Sequence, residues 1–387
     1  MRIRKDMQME EEAEIKGQRE LLEGVIDAGL CVSCGACVNL CAYAACWKDR
    51  TVMVHQCDRT EGRCYAFCPR TPTNLDTLRR ALFDPADLTA ELGSVRGFYM
   101  ARAAREQQRR AAQHGGTVTT LLSLALQEKW IDGAIVSEGE EDHSARAVWA
   151  TTAEELERHA RSKFVASPTL AAFNEMIKDT RFERIGVVVT PCQGLALAKM
   201  RLSPLAKDDG VKKLRLVIGL FCGWAFSWRE LKGLLKEKTE GKSIVGFDIP
   251  PSQYHTMEVF TDQGTLQISL DDVLPAVRKG CLYCFDMTAE FSDISVGAGR
   301  SPEGWEMARS WNQVIVRSRL GQDLLELAVS RGLLEMQEVP EGNLEKLKKA
   351  SMNKKRTAIK NLKKKSGTSK DLLYLDRADP YWKKLLS

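Results

Sequence analysis

Apolar residues recur along this chain at two rhythms, and the pattern becomes regular near residue 96. Beyond that point the short β-branched runs "IDGAIVSE", "RIGVVVTP" and "LRLVIGLFCG" each predict a buried strand. Between and before them, "TVTTLLSLALQEKW", "TAEELERHARSKF" and "PTLAAFNEMIKD" return apolar residues every three or four positions, which predicts helices. Strands alternating with helices of this length predict βαβ units and a largely parallel or mixed sheet. Further on, "TMEVFTDQGTLQISL" places two strand-like runs around Asp262-Gln263-Gly264, a hairpin signal. "NQVIVRSRLGQDLLELAVSRGLLEMQEV" then predicts strand, helix, strand.

Upstream the rhythm is lost. Residues 1–24 predict a charged helix with a partial apolar stripe (Ile15, Leu21, Leu22). Residues 25–72 hold eight of the twelve cysteines and little else that makes a core, as in a small domain with an inorganic interior. Residues 73–95 predict a connector with prolines and one helical stretch. The domain plan is completed by a large domain over 96–340 and a basic tail over 341–387.

Charge sharpens that plan. The chain of 387 residues carries a formal +5, yet "KLKKASMNKKRTAIKNLKKK" alone holds ten Lys or Arg and no acid. Taking those ten away leaves a mildly acidic body at −5, so a uniformly basic nucleic-acid binder is not expected. Leu347, Ile359 and Leu362 fall partly on one face, and the default expectation is a solvated amphipathic helix. An acidic partner subunit, nucleic acid or lipid are the alternatives for that face. The first twenty residues are charged and lack an apolar h-region, and no apolar run is long enough to span a bilayer. A cytoplasmic location is therefore expected, where thiols stay reduced and clustered cysteines serve metals or redox chemistry.

Cys31, Cys34, Cys37 and Cys41 stand in C-x2-C-x2-C-x3-C, the spacing of bacterial-type ferredoxins. Two-residue gaps let three successive thiolates wrap one [4Fe-4S] cube, Gly35 eases the close turn, and the fourth cysteine ligates another cube. Zinc competes, since two C-x2-C pairs can form a four-thiolate site, but back-to-back gaps sharing Cys34 suit a cube better. "CDRTEGRCYAFCPR" is less regular, with Glu61 where a cysteine is expected. The expected sets are Cys31, Cys34, Cys37 and Cys68 on one cube, and Cys41, Cys46, Cys57 and Cys64 on the other. Cys46 and Cys57 are the weakest members, and a buried spare Cys46 without a second cube stays open. Cys192 and Cys222 end predicted strands, and Cys281 and Cys284 form "KGCLYCFD". Together they predict a third cluster, against the bland alternative of separate buried cysteines. No P-loop, nucleophile elbow or histidine metal pattern is present, so nucleotide-triphosphate chemistry and hydrolysis are not expected.

The series "QHGGTVTTLLSLALQEKWIDGAIV", "RSKFVASPT", "VVVTPCQGLALAK", "IGLFCGWAFSWREL", "GFDIPP" and "GCLYCFDMTAEFSDISVGAGRSPEGW" resembles the beta subunits of coenzyme F420-reducing hydrogenases and F420-linked formate dehydrogenases. The resemblance covers roughly residues 28–330. The wider family also includes a chlorophyll-pathway reductase and fused sulfite reductases, so fold alone does not name the substrate. The resemblance implies an α+β/α/β chain: a bacterial-ferredoxin-like N-terminal domain followed by a mixed α/β flavin-binding domain. It implies FAD exchanging hydride with a soluble carrier, F420 or a nicotinamide, and single electrons with the clusters. Gly115, Gly116, Thr117 and Thr119, at a predicted helix start, become flavin-phosphate candidates, as does Lys163. Asp286, Thr288, Glu290 and Asp293 follow the last cysteine pair. They are read either as acids beside a flavin or as a capped turn before a strand at Ile294–Val296. Partners would be other redox subunits, with no nucleic acid expected. A ferredoxin-fed reductase of a bulky substrate and a flavin-free electron-transfer subunit are the alternative functions.

Overall fold

The computed structural model describes residues 16–206, 210–368, 371–377 and 379–382. Most of the expected N-terminal helix, residues 1–15, lies outside them; its described remainder is one turn at Gln18–Leu21 that widens over Leu22–Asp27. The large domain is organised on an eight-stranded mixed sheet. Its strands are β1 (Gly97–Ala103), β2 (Gly133–Gly139), β3 (Ala145–Ala150) and β4 (Ile185–Val189). The others are β5 (Leu214–Leu220), β6 (Ile294–Ala298), β7 (Asn312–Val316) and β8 (Leu334–Gln337). In space they run β8-β1-β7-β6-β5-β4-β2-β3. β1, β6, β5, β4 and β2 point one way, while β8, β7 and β3 run against them.

Period-two alternation explains why both faces are covered. Ala134, Val136, Leu216 and Ile218 meet α2 (Thr117–Gln127) and α6 (Arg319–Ser330) on one side. Ile135, Val187 and Val217 meet α3 (Thr169–Met176) and α4 (Pro191–Leu202) on the other. An antiparallel sheet of Ile244–Asp248, Thr256–Thr261 and Gly264–Ser269, with α5 (Trp228–Thr239), is inserted between β5 and β6.

The structure adds to the sequence reading in three places. β1, for which no strand was predicted, is an inner strand; its "GFYMARA" lacks the β-branched residues that mark strands. Residues 73–95 carry helix α1 (Leu75–Leu82), whose Leu75 and Leu78 are buried. Its first amides donate to Asp379 Oδ2, 2.8 Å from Leu75 N and 3.2 Å from Asp76 N. The basic segment forms α7 (Asn343–Ser366), whose Leu347, Ala358, Ile359 and Leu362 are buried against the body. That apolar face is covered by this chain itself, while Lys349, Arg356, Lys360 and Lys364 stay exposed. Among the described residues no helix is long and apolar enough to cross a membrane.

The cysteine-rich segment does not close a core alone. Val32, Cys34, Ala36 and Phe67 join the apolar layer of α3 and α4. Asn174 Nδ2 donates to the Ala36 and Val38 carbonyls at 3.1 and 2.7 Å. Gly35, at φ +86°, leaves no room for a Cβ, which would lie 2.6 Å from Ala171 N. Arg278 holds a short hairpin, Ala44–Trp47 with Arg50–Met53, and the thiol loop together through Asp49 and Ser33 Oγ.

Candidate electron-transfer site

Cys31, Cys34, Cys37 and Cys68 line one small cavity, with Leu21, Val25, Val32 and Arg70 also on its wall. The chain reaches this arrangement through the tight turn at Gly35 and the short helix Arg63–Ala66, which delivers Cys68. Backbone N–H groups already point at sulfur: Ser33 N donates to Cys31 Sγ and Arg70 N to Cys68 Sγ, both at 3.4 Å. Burial, then the Cys192 and Cys68 thiols, push Cys34 well above the ordinary thiol range. Burial likewise raises Cys37, with Cys34 and Cys31 adding to it. Thiols crowded in this way resist ionising together unless a positive group offsets their charge. Among the described residues no three His, Cys, Asp or Glu side chains converge as tightly as one metal ion requires.

Cys41, Cys57 and Cys64 form a second, outer set. Burial raises Cys64, and the neighbouring Cys41 and Cys57 raise it further. Cys41 is exposed. Cys46 pairs with Thr51 in the hairpin of Ala44–Trp47 and Arg50–Met53 and packs, like Cys37 and Met53, against Val38, Ala44 and Ala171. Its thiol, pushed up to about 11 by burial and then Cys31, belongs to the surroundings of the first cavity.

Cys192, Cys222, Cys281 and Cys284 gather into an inner set. Cys192 stands in the first turn of α4, where Pro191 and a Thr190–Gln193 capping box begin the helix. A helix start favours a thiolate. Cys222 follows β5, so both come from the carboxyl edge of the parallel strands. Burial, then Cys284, pushes the Cys192 thiol up to about 12. Burial also raises Cys222, whose other neighbours include Cys281 and Cys192. The inner set adjoins the middle set, which is Cys31, Cys34, Cys37 and Cys68. A Cβ on Gly280 would lie 2.4 Å from the Cys31 carbonyl oxygen, so the Cys281 turn sits directly on the first thiol loop.

At the same carboxyl edge, Gly116 (φ +81°) starts α2. Thr117 is fully buried; its N donates to Asn312 Oδ1 at 3.2 Å and its Oγ1 to the Ala101 carbonyl at 3.3 Å. Thr119 is half-buried in the same turn. Gly115 packs on Asn312, where a Cβ would come within 2.7 Å of Oδ1. Lys163, whose pKa burial lowers, donates to the Ala160 carbonyl at 2.7 Å and lies beside Gly139, the end of β2.

Next to this edge is a cavity of about 370 Å³ lined by Tyr254, Arg300, Trp305, Asn343 and Lys346, among others. Sequence reasoning missed it, because its walls come from the inserted sheet, the segment after β6 and the start of α7. His114, just before Gly115, stands edge-on to Trp305 at 5.4 Å, with Nε2 3.2 Å from Asp248 Oδ2.

The acids after the last cysteine pair have other occupations. Asp286 accepts from Thr288 N at 2.9 Å and Glu290 N at 2.8 Å, which is the capped turn, and β6 follows. Thr288 Oγ1 accepts from the buried Arg317 at 3.0 Å. Asp293 ties β5 to the start of α6 through Val217 N and Ser318 Oγ. Glu290 is fully buried and paired with both Arg79 of α1 and Lys355 of α7. These side chains hold the segment that follows Cys281 and Cys284.

Two family models match the chain. Residues 98–174 match the N-terminal part, and residues 182–342 the C-terminal part, of the coenzyme F420 hydrogenase/dehydrogenase beta subunit. The coenzyme F420 hydrogenase subunit beta of Methanothermobacter thermautotrophicus is 30% identical over 276 residues, covering 70% of this chain and 95% of the relative. The F420-dependent sulfite reductase of Methanocaldococcus jannaschii is 28% identical over 85% of this chain and 51% of its own length. Among solved structures, a chain of the F420-reducing [NiFe] hydrogenase complex from Methanosarcina barkeri superposes with a TM-score of 0.65 at 26% identity. That likeness covers 77% of this chain and 99% of the other. The mixed α/β architecture, the matched segments and these oxidoreductase relatives agree: the chain belongs to the coenzyme F420 hydrogenase/dehydrogenase beta-subunit family.

Proposed function

We propose that the chain is an iron–sulfur flavoprotein subunit that passes electrons between a hydride carrier, coenzyme F420 or a nicotinamide, and a redox partner. The observation that carries this reading is the succession of thiol sets, from exposed Cys41 inward to Cys192, Cys222, Cys281 and Cys284 at the sheet edge. A flavin takes up two electrons as hydride and releases them singly, and iron–sulfur clusters carry single electrons.

The residues present fit both groups. The middle set offers four thiols and inward N–H donors around one cavity, and the inner set offers four thiols with a helix start. The Gly116–Thr119 turn starts α2 at the carboxyl edge, where α/β sheets bind ligands. The large cavity beside it supplies aromatic walls in Tyr254 and Trp305, and cations in Arg300 and Lys346 for an anionic ligand. α7 spans the two regions: Lys346 lines the cavity, and Lys354 Nζ donates to the Cys222 carbonyl at 2.7 Å. At 1.5 Å per residue those lysines are about 12 Å apart along the helix. His114 is held at this edge by Asp248.

The test is the metal and flavin content of anaerobically purified protein. Two complete sets and one outer set correspond to about twelve iron atoms per chain if all hold cubes, with one FAD. Reduction of the bound flavin by reduced F420 and by NADH, run side by side, identifies the carrier. Zinc in place of iron, or absence of flavin, overturns the reading. Because Cys46 lies beside the middle set, Cys46→Ser is expected to keep its iron, whereas Cys64→Ser loses that of the outer set. Iron analysis of the two variants checks this.

A further inference from the structure

Arg70 is buried between two of the thiol sets, at 3% exposure. Its Nη1 donates to the Tyr283 carbonyl at 3.3 Å and to the Tyr374 hydroxyl, and its Nη2 donates to the Gly280 carbonyl at 3.2 Å. Those carbonyls flank the Cys281 turn. Its own backbone N–H is on Cys68 Sγ, and its side chain lines the cavity of Cys31, Cys34, Cys37 and Cys68. One nitrogen is left over: Nε is buried without a hydrogen-bond partner. A buried guanidinium N–H without an acceptor is costly. Lys199, the half-buried cation beside Cys68, is by contrast satisfied by the Cys68 carbonyl and the Thr71 and Thr73 hydroxyls.

Resting on the cluster reading above, we infer that Arg70 is a positioning residue for electron transfer. Its Nε–H is the donor kept for a sulfur of the group held by Cys31, Cys34, Cys37 and Cys68, and its fixed charge favours the reduced form of that group and of its inner neighbour. An arginine remains protonated throughout the working range, so the effect is constant. Charge and hydrogen bonds to sulfur are among the levers that set cluster potentials. The cation between the two sets raises both potentials, so an electron is held at this junction instead of returning to the outer set.

The experiment is an EPR-monitored redox titration of the full holoprotein, wild type against Arg70→Met and Arg70→Lys, with iron counted in each. Removal of the charge in Arg70→Met is expected to lower the reduction equilibrium constant of the middle cluster about tenfold, which is about 59 mV for one electron. Arg70→Lys, which keeps the charge but not the planar donor, falls between. Unchanged potentials at full iron content overturn the inference. Should the variants lose iron, the wild-type protein labelled with guanidino-15N arginine gives the answer. Pulsed EPR of the reduced cluster is expected to show a 15N coupling, and its absence overturns the inference. Wild-type protein with no cubane signal overturns the cluster reading itself, and this inference with it.

Discussion

Replacing Cys34 by serine is expected to remove the middle cluster, with a loss of about four iron atoms per chain and a marked fall in thermal stability. Cys34 is shared between both two-residue gaps and is buried in the layer of α3 and α4. Its loss therefore reaches the large domain as well as the thiol loop. Metal binding supplies folding free energy where the ligand set is preformed only in the folded chain. Iron analysis and thermal unfolding of anaerobic protein check the prediction, with Cys46→Ser as the internal comparison. Full iron content in Cys34→Ser contradicts it.

Substitution of Glu290 by glutamine is expected to destabilise the protein by about 3–5 kcal/mol, the cost of leaving buried charges without their counter-ion. Glu290, Arg79 and Lys355 are all buried, so water cannot take over the lost partner. Combining Glu290→Gln with Lys355→Met is expected to restore part of that stability, because the orphaned ammonium leaves with its partner. A double-mutant cycle by denaturant unfolding checks this. The same trio sets a pH dependence. Burial alone would raise the Glu290 carboxyl, but Lys355 and Arg79 hold it below the ordinary range. A depressed folded pKa contributes stability that is present above the unfolded value, about 4.3, and is lost as pH falls through the folded value. Wild-type stability is thus expected to drop below about pH 4.3, and the drop is smaller in Glu290→Gln.

The sequence displays what repeats locally. Cysteine spacing pointed to the thiol-rich segments, and β-branched runs marked β2, β4 and β5. Strand–helix–strand order was readable from Asn312 to Gln337 for the same reason. What it hides is pairing at long range. Glu290 meets Arg79 from 211 residues away, and Arg70 meets Tyr374 from 304. No local pattern distinguishes such a cation from a solvated one. Lys355 is the sharpest case: it sits in a run of lysines that reads as surface, yet it is fully buried. The four-residue spacing of Leu347, Ser351, Lys355 and Ile359 gave it a place on the apolar face, where its residue type argued against it. Cys46 shows the complementary limit. Arithmetic on thiols assigned it to the outer set, while in the fold the thiols of Cys31 and Cys37 are among its electrostatic neighbours.

Similarity to the family models ends at residue 342, and α7 begins at the next residue. A fragment trimmed to that recognisable stretch would lose the ammonium that neutralises Glu290 and bare the leucine seam beneath it. The smallest autonomous body is therefore longer than the portion that the family models outline, and truncations planned on those limits are expected to yield insoluble material.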